Sequence, residues 1–230
     1  IPYISAQGGV RMNSYQSLSV VNPYLAPTTT LNPSFNKYNT TLGVRSSLSS
    51  ILNFNFGIVY DQVENFMLFE RLVVDNRNNN VAYRLSNAFQ NSYVNVDLYG
   101  FKADIKIDLA KHNFIRFGTK YSYYETTNSQ SLWNIPSLEM NWEGQFKWKK
   151  RLTLTFQGNL IGDRTVAFRP IFLNQEVENV EYQEEKIPLF VSTTSHITFK
   201  LSEQFDVFAK LRLNSEGIHG RWSYYSEPSF

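Results

Sequence analysis

Three features of the sequence predict an all-β chain, and specifically an antiparallel transmembrane β-barrel. The first is period-two alternation of apolar and polar residues in segments of about 9–11 residues, roughly what a tilted strand needs to cross a bilayer. The second is composition: of 230 residues, 18% are charged and 16% aromatic, with 14 Tyr and 18 Phe. The third is that short turns and long polar loops take strict turns along the chain. A barrel wall produces that segregation, whereas a soluble sandwich has no reason for it.

The clearest unit is the hairpin 98–124. Phe101, Ala103, Ile105, Ile107 and Leu109 fall on one face, and Lys102, Asp104, Lys106 and Asp108 on the other. After a polar knot, AKHN, the series Ile115, Phe117, Thr119, Tyr121 and Tyr123 opposes Arg116, Gly118, Lys120 and Ser122. Successive side chains of a strand point to opposite faces, so these are two long strands, each with one greasy and one charged side.

The same design recurs in order. Residues 1–12 alternate through Ile4, Ala6 and Val10 and are expected to form a strand. Residues 13–33 hold Pro23, Pro27 and Pro33 among Ser, Thr and Asn; proline removes ladder donors, so an irregular loop is expected. Tyr38, Thr40, Leu42 and Val44 begin a second hairpin, which turns at 46–50 and returns through Leu52, Phe54, Phe56, Ile58 and Tyr60. Residues 63–92 are less regular, with an Asn-rich tip around 77–80. Val94, Val96 and Leu98 then carry the apolar face on even numbers, whereas from Phe101 it is odd, which predicts a β-bulge near Tyr99–Gly100. Strands follow over 138–148 and 152–160, then a long polar loop over 163–187, then a hairpin over 189–213. Nine strands result.

Several function classes are excluded. Mean hydropathy is −0.34, and no run of about 18 apolar residues exists, so no helical span is expected. A net charge of +2 is too small to imply nucleic acid as a partner. The absence of cysteine removes disulfides and thiolate metal sites. His112, His196 and His219 lack ligand spacing, and GIHG at 217–220 precedes no helix. The acidic run Glu176, Glu178, Glu181, Glu184 and Glu185 lacks the Asp/Asn/Gly pattern of a calcium loop, and a solvated loop is expected there. No enzyme, metal or cofactor is expected.

The aromatics divide in two. Trp142, Trp148, Tyr121 and Tyr123 lie on apolar faces near strand ends, as an interfacial girdle requires. Trp133, Trp222, Tyr224 and Tyr225 fall in loops, placed either to stack on a ligand or to anchor and pack the loops themselves. Lys102, Asp104, Lys106, Asp108, Arg116 and Lys120 are expected to face the lumen.

Short motifs in order also resemble a known family. GVRMNSYQSL at 9–18, NPYLAPT at 22–28, Tyr38 through Gly43 and Leu98-Tyr99-Gly100-Phe101-Lys102 are similar to successive signatures of the C-terminal barrel of TonB-dependent outer-membrane receptors. Ile135-Pro136 and Ile187-Pro188-Leu189-Phe190 occupy the places of two more, and Asn214 with the aromatics at 222–225 resembles the approach to the last strand. The resemblance covers nearly the whole chain. Thr28 and Lys102 stand where the family has Glu, and the plug, the TonB box and a final strand are missing.

The resemblance implies one incomplete domain over 1–230, with about nine of the 22 strands such barrels have. It implies a Gram-negative outer-membrane location, multi-pass, with a secretory leader upstream of Ile1. Gated uptake of a scarce ligand is the implied function, the ligand being a siderophore, cobalamin, glycan or peptide. The partners implied are outer-membrane lipid, the protein's own plug and TonB, and a surface lipoprotein or other complex subunits. In that setting the lumen charges pair with each other or with the plug. The lost glutamates leave open a non-transporting barrel subunit of a secretion or assembly complex. A soluble carbohydrate-binding β-sandwich is the third reading. The turns at 46–50, 110–113, 149–151 and 202–204 are expected on the periplasmic side. The loops around 23–33, 76–80, 126–133, 164–185 and 215–227 are expected at the cell surface.

Overall fold

The nine alternating segments all become strands of one sheet. The computed structural model describes residues 1–22, 25, 30–74, 89–127, 132–149, 151–171 and 183–215. Its strands are β1 (Pro2–Arg11), β2 (Ser34–Ser47), β3 (Leu52–Val74), β4 (Phe89–Ala110), β5 (Asn113–Thr126), β6 (Leu138–Trp148), β7 (Leu152–Ile161), β8 (Arg164–Ile171), β9 (Gln183–Ile187), β10 (Phe190–Lys200) and β11 (Asp206–Asn214). Nine of them pair in the order β1-β2-β3-β4-β5-β6-β7-β10-β11, each neighbouring pair antiparallel; β8 and β9 lie off this path. No described helix is long and apolar enough to cross a membrane.

In an antiparallel meander successive connections must alternate between the two ends of the wall. The turns after β2, β4, β6 and β10 therefore share one end, the turn end, and they are the four short turns expected from the sequence. The connections after β1, β3, β5 and β7 share the other, the cap end. Of the loops expected at the cell surface, 76–80 and 216–227 lie outside the described residues.

Register shows which residues share a face. Ile58, Phe101 and Tyr121 are aligned across β3, β4 and β5, as are Phe54, Ile105, Phe117 and Trp142 from β3 to β6. The rings of this face touch, with centroids 6.1 Å apart for Phe56–Phe101 and 5.7 Å for Phe101–Tyr121. It is nonetheless exposed: Ile58, Phe101, Ile105, Phe117 and Tyr121 all show more than a third of their surface. A sheet that leaves its large apolar side chains uncovered in this way is built to meet something apolar.

The bulge expected near Tyr99–Gly100 is not there. Gly100 pairs in register with Val59 on one side and Ser122 on the other. The irregularity sits in β3 instead, where Glu64 and Asn65 oppose the single residue Asn95 between the pairs Val63–Val96 and Phe66–Val94. Asn65 takes φ = 53°, a left-handed conformation that asparagine tolerates better than most residues. Its N–H donates to Asn95 Oδ1 at 3.0 Å and its amide to the Pro33 carbonyl at 3.1 Å. Val94, Val96 and Leu98 thus share a face with Lys102. They are apolar because that face is covered at the cap end, not because the strand slips.

The cap is also where sequence expectation failed most. β3 and β4 run on past the wall as a two-stranded ribbon, over residues that alternate poorly because the Asn65 bulge changes their parity. The stretch expected to be irregular after β1 contains a helix, α1 (Tyr15–Val21), capped by a reciprocal Ser14–Ser17 box. Seven residues do not hold a helix alone. Leu18, fully buried, anchors it against Leu25, Phe69 and Phe89 on one face of the ribbon. Leu68, Val94 and Val96 bury the other face with Trp133. The region expected to be one polar loop over 163–187 is partly strand: β8 pairs with β9 and, in parallel, with the ribbon edge Arg71–Val74.

Phe89→Ala removes a side chain that is 1% exposed, and such truncations cost about 3–5 kcal/mol. The loss should stay local. By hydrogen exchange, the amides of Leu18 and Asn22, which donate to Ser14 and Leu18 carbonyls, should exchange markedly faster, while the β5–β6 ladder keeps its protection. Unchanged exchange at Leu18 and Asn22 would show that Phe89 does not hold α1.

Candidate functional site: the polar face of the wall

Opposite the apolar face, the alternation builds a polar one. Register places Asn53, Lys106, Arg116, Glu143, Gln157, Thr194 and Arg212 in one row across seven strands. Asn55, Asp104, Gly118, Asn141, Asn159, Ser192 and Asn214 form the next. Between β4 and β11 this face forms an open groove of about 900 Å³, lined among others by Asp104, Arg116, Glu143, Gln157, His196 and Lys210.

Like charges directly opposite each other destabilise a strand pair, and Lys106 faces Arg116 while Lys102 faces Lys120. Neighbouring carboxylates relieve the first clash. Lys106 Nζ lies 2.8 Å from Asp108 Oδ1, and Arg116 lies 3.5 Å from Asp104 and 3.6 Å from Glu143. Lys102 Nζ donates to Thr41 Oγ1 at 3.3 Å, and Lys120 is paired in register with Glu139. All six charged residues singled out in the sequence therefore share this face, and most of them neutralise one another. Further along, Ser192 Oγ donates to Asn214 Oδ1 at 2.7 Å, and His196 stands edge-on to Phe208 at 5.6 Å. Asn141, Gln157, Asn159, Lys210 and Arg212 were not singled out from the sequence, although the same alternation marks them.

The aromatic expectations fare unevenly. Of the two roles the sequence leaves open for Trp133, the structure shows loop packing: the ring is buried at 1% exposure against Leu68, Val94 and Val96, and its Nε1–H donates to Glu184 Oε1 at 3.0 Å. It holds the cap together and has no free face for a ligand. Trp222, Tyr224 and Tyr225 lie outside the described residues. On the apolar face, Tyr121 and Tyr123 stand toward the cap end and Trp148 at the turn end, as a girdle requires. Trp142 does not: it lies at mid-strand, level with Ile105, where its ring covers Gly158 of β7.

The groove can hydrogen-bond and charge-match a polar solute or a polar protein segment. Its ion pairs are about half-exposed, and pairs of that kind contribute less than about 1 kcal/mol each. Arg116→Gln should therefore change the midpoint of a urea refolding titration into lipid vesicles only slightly, by under about 1 kcal/mol. A loss of several kcal/mol would mean that this charge is buried in the folded protein.

No family model matches the chain, and no curated protein does. Solved structures do. The pyoverdine outer-membrane receptor FpvA of Pseudomonas aeruginosa PAO1, bound to pyoverdine, aligns over 88% of this chain and 28% of its own length, with a TM-score of 0.56 at 13% identity. The ferripyoverdine receptor of the P. aeruginosa outer membrane, bound to ferripyoverdine, aligns over 92% of this chain and 26% of its own, at 0.59 and 13%. The copper transporter OprC aligns over 88% and 29%, at 0.52 and 13%. The chain thus spans a little over a quarter of the length of the structures it matches. At this identity the likeness concerns the fold alone, a stretch of the antiparallel wall of an outer-membrane β-barrel.

Proposed function

We propose that this chain is a wall segment of an outer-membrane uptake barrel, its apolar face against lipid and its polar groove lining the lumen of a gated, plugged pore. The observation that carries this reading is the separation of faces: large apolar side chains stay exposed on one side of a single sheet while charges pair on the other. The dimensions agree with a bilayer. The ten steps from Tyr99 to Leu109 cover about 34 Å along the strand, which a tilt near 40° reduces to about 26 Å, close to the apolar band of such barrels. A facing second sheet, as a sandwich needs, is absent among the described residues, where all strands belong to one sheet.

The structural relatives carry pyoverdine or copper by name, which supports uptake of a scarce metal or metal complex as the role of the whole protein. Siderophore, cobalamin, glycan and peptide ligands all suit a wide polar lumen. In this reading the groove handles solute and performs no catalysis, and the intact protein carries a plug and engages TonB. Lys102 favours a second reading, a barrel subunit of a secretion or assembly complex: it stands where the resembled family has glutamate, and its ammonium donates to Thr41.

Two experiments test the membrane assignment. Ile105→Arg should cost roughly 2–4 kcal/mol in a folding titration into vesicles, and Asp104→Arg, one residue away, much less. Equal tolerance of both would remove β4 from the membrane. For sidedness, single cysteines at Val20, 82% exposed on α1, and at Lys111, in a turn-end loop, are labelled in the full-length protein with an impermeant maleimide. Intact cells should label Val20→Cys, and Lys111→Cys only after the outer membrane is opened. The reverse pattern would invert the topology.

A further inference from the structure

The excursion between β7 and β10 is not needed to build the wall. β7 and β10 are neighbours whose ladder continues to the pair Ile161–Phe190. A short turn would join them there. The chain instead departs at Gly162, forms β8 and β9, and returns only at Ile187.

Where the excursion goes is informative. β8 leaves from the top of β7 and pairs with Arg71–Val74 of β3, four strands away along the wall and therefore about 19 Å. The seven steps from Ile161 to Phe168, where the pairing begins, reach about 23 Å, enough for that crossing. It crosses on the polar side. Trp133, which is bridged to Thr165 of β8, packs on Leu68, Val94 and Val96, and these share their face with Leu98, Gly100 and Lys102.

One short segment pins the hairpin there by two contacts and is itself tied to β3 by a third. Trp133 Nε1–H donates to Glu184 of β9, the Asn134 N–H donates to the Thr165 carbonyl of β8 at 2.7 Å, and the Asn134 amide donates to the Phe69 carbonyl of β3 at 3.1 Å. Beneath the hairpin the polar face loses contact with solvent. Leu98 and Ser122 are less than a tenth exposed, whereas Lys120, the next residue on the same face toward the groove, is exposed. Ser122 borders a cleft of about 260 Å³ whose opposite wall is Arg164, Thr165 and Lys186 of the hairpin.

We infer that the β8–β9 hairpin is a strap that closes the cap end of the polar groove, docked as an added strand on the free edge of β3. A solute reaching the groove from that side requires it to leave. The inference rests on the polar face being the lumen, but not on what is transported.

The probe is Ser122→Cys, a near-isosteric change beneath the strap, in the purified full-length protein with no other cysteine. The measurement is its rate of reaction with a bulky maleimide in detergent. Excising residues 164–187 leaves Gly162-Asp163-Pro188-Leu189 as a four-residue turn between Ile161 and Phe190, so the wall ladder is preserved. Excision should speed labelling at least fivefold. Should the excised protein fail to fold, Phe168→Pro, which removes one β8 backbone donor, is judged by the same fivefold criterion. A smaller change in whichever folds overturns the strap, as does labelling of Ser122→Cys as fast as Lys111→Cys with the hairpin intact. A polar face that is not a lumen shows itself separately, as equal tolerance of Ile105→Arg and Asp104→Arg.

Discussion

A sheet bordered by hydrocarbon has no water on that side to take up unpaired amides and carbonyls, so its backbone must be satisfied strand to strand. That requirement makes the ladder the element on which everything else in this chain depends. Through the middle of the wall a continuous register from β2 to β11 carries each row of side chains across, and one slipped residue there would exchange the two faces of every strand beyond it. The described strands tolerate irregularity only toward the ends. The shifts between Gln7 and Gly9, between Asn36 and Tyr38 and in β3 at Asn65 lie toward the cap, and the one beside Leu109 lies at a turn.

The core is displaced as a consequence. In a water-soluble sheet the apolar face is covered by another layer of the same chain, and that face is the core. Here the wall's apolar face stays open, while the buried side chains, Leu18, Leu25, Leu68, Phe69, Phe89, Val94, Val96 and Trp133, collect at the cap. Beyond the bulge the β3–β4 ribbon is covered on both sides, by α1 and Leu25 on one and by the segment around Trp133 on the other. The cap thus behaves like a small globular core attached to a wall, and its stability is separable from the wall's.

The polar face obeys a different rule. Its charges are partly solvated, so they contribute little to stability individually, and their arrangement decides which groups the face presents. Opposed cations, Lys106 beside Arg116 and Lys102 beside Lys120, are held by neighbouring carboxylates or hydroxyls, which leaves a surface rich in hydrogen-bonding groups and nearly balanced on β4–β6. The strap lies over the upper margin of that surface, so solvent contact with the polar face ends where the cap core begins.

The sequence by itself determined the nine wall strands, the four short turns and the membership of both faces, because a period of two is a local property: once residues 101–109 are extended, Ile105 and Asp104 must point oppositely. The six charged residues of β4 and β5 were legible for the same reason. What only the tertiary structure decided is the cap. Val94, Val96 and Leu98 look like a change of register when read along the strand. They are a change of covering, and covering depends on Trp133, almost 40 residues away. The helix α1 is too short for its own pattern to declare it and exists because Leu18 reaches Phe69 and Phe89. The parallel pairing of β8 with β3 has no local signal at all, since an unpaired strand edge accepts whatever segment the fold brings to it.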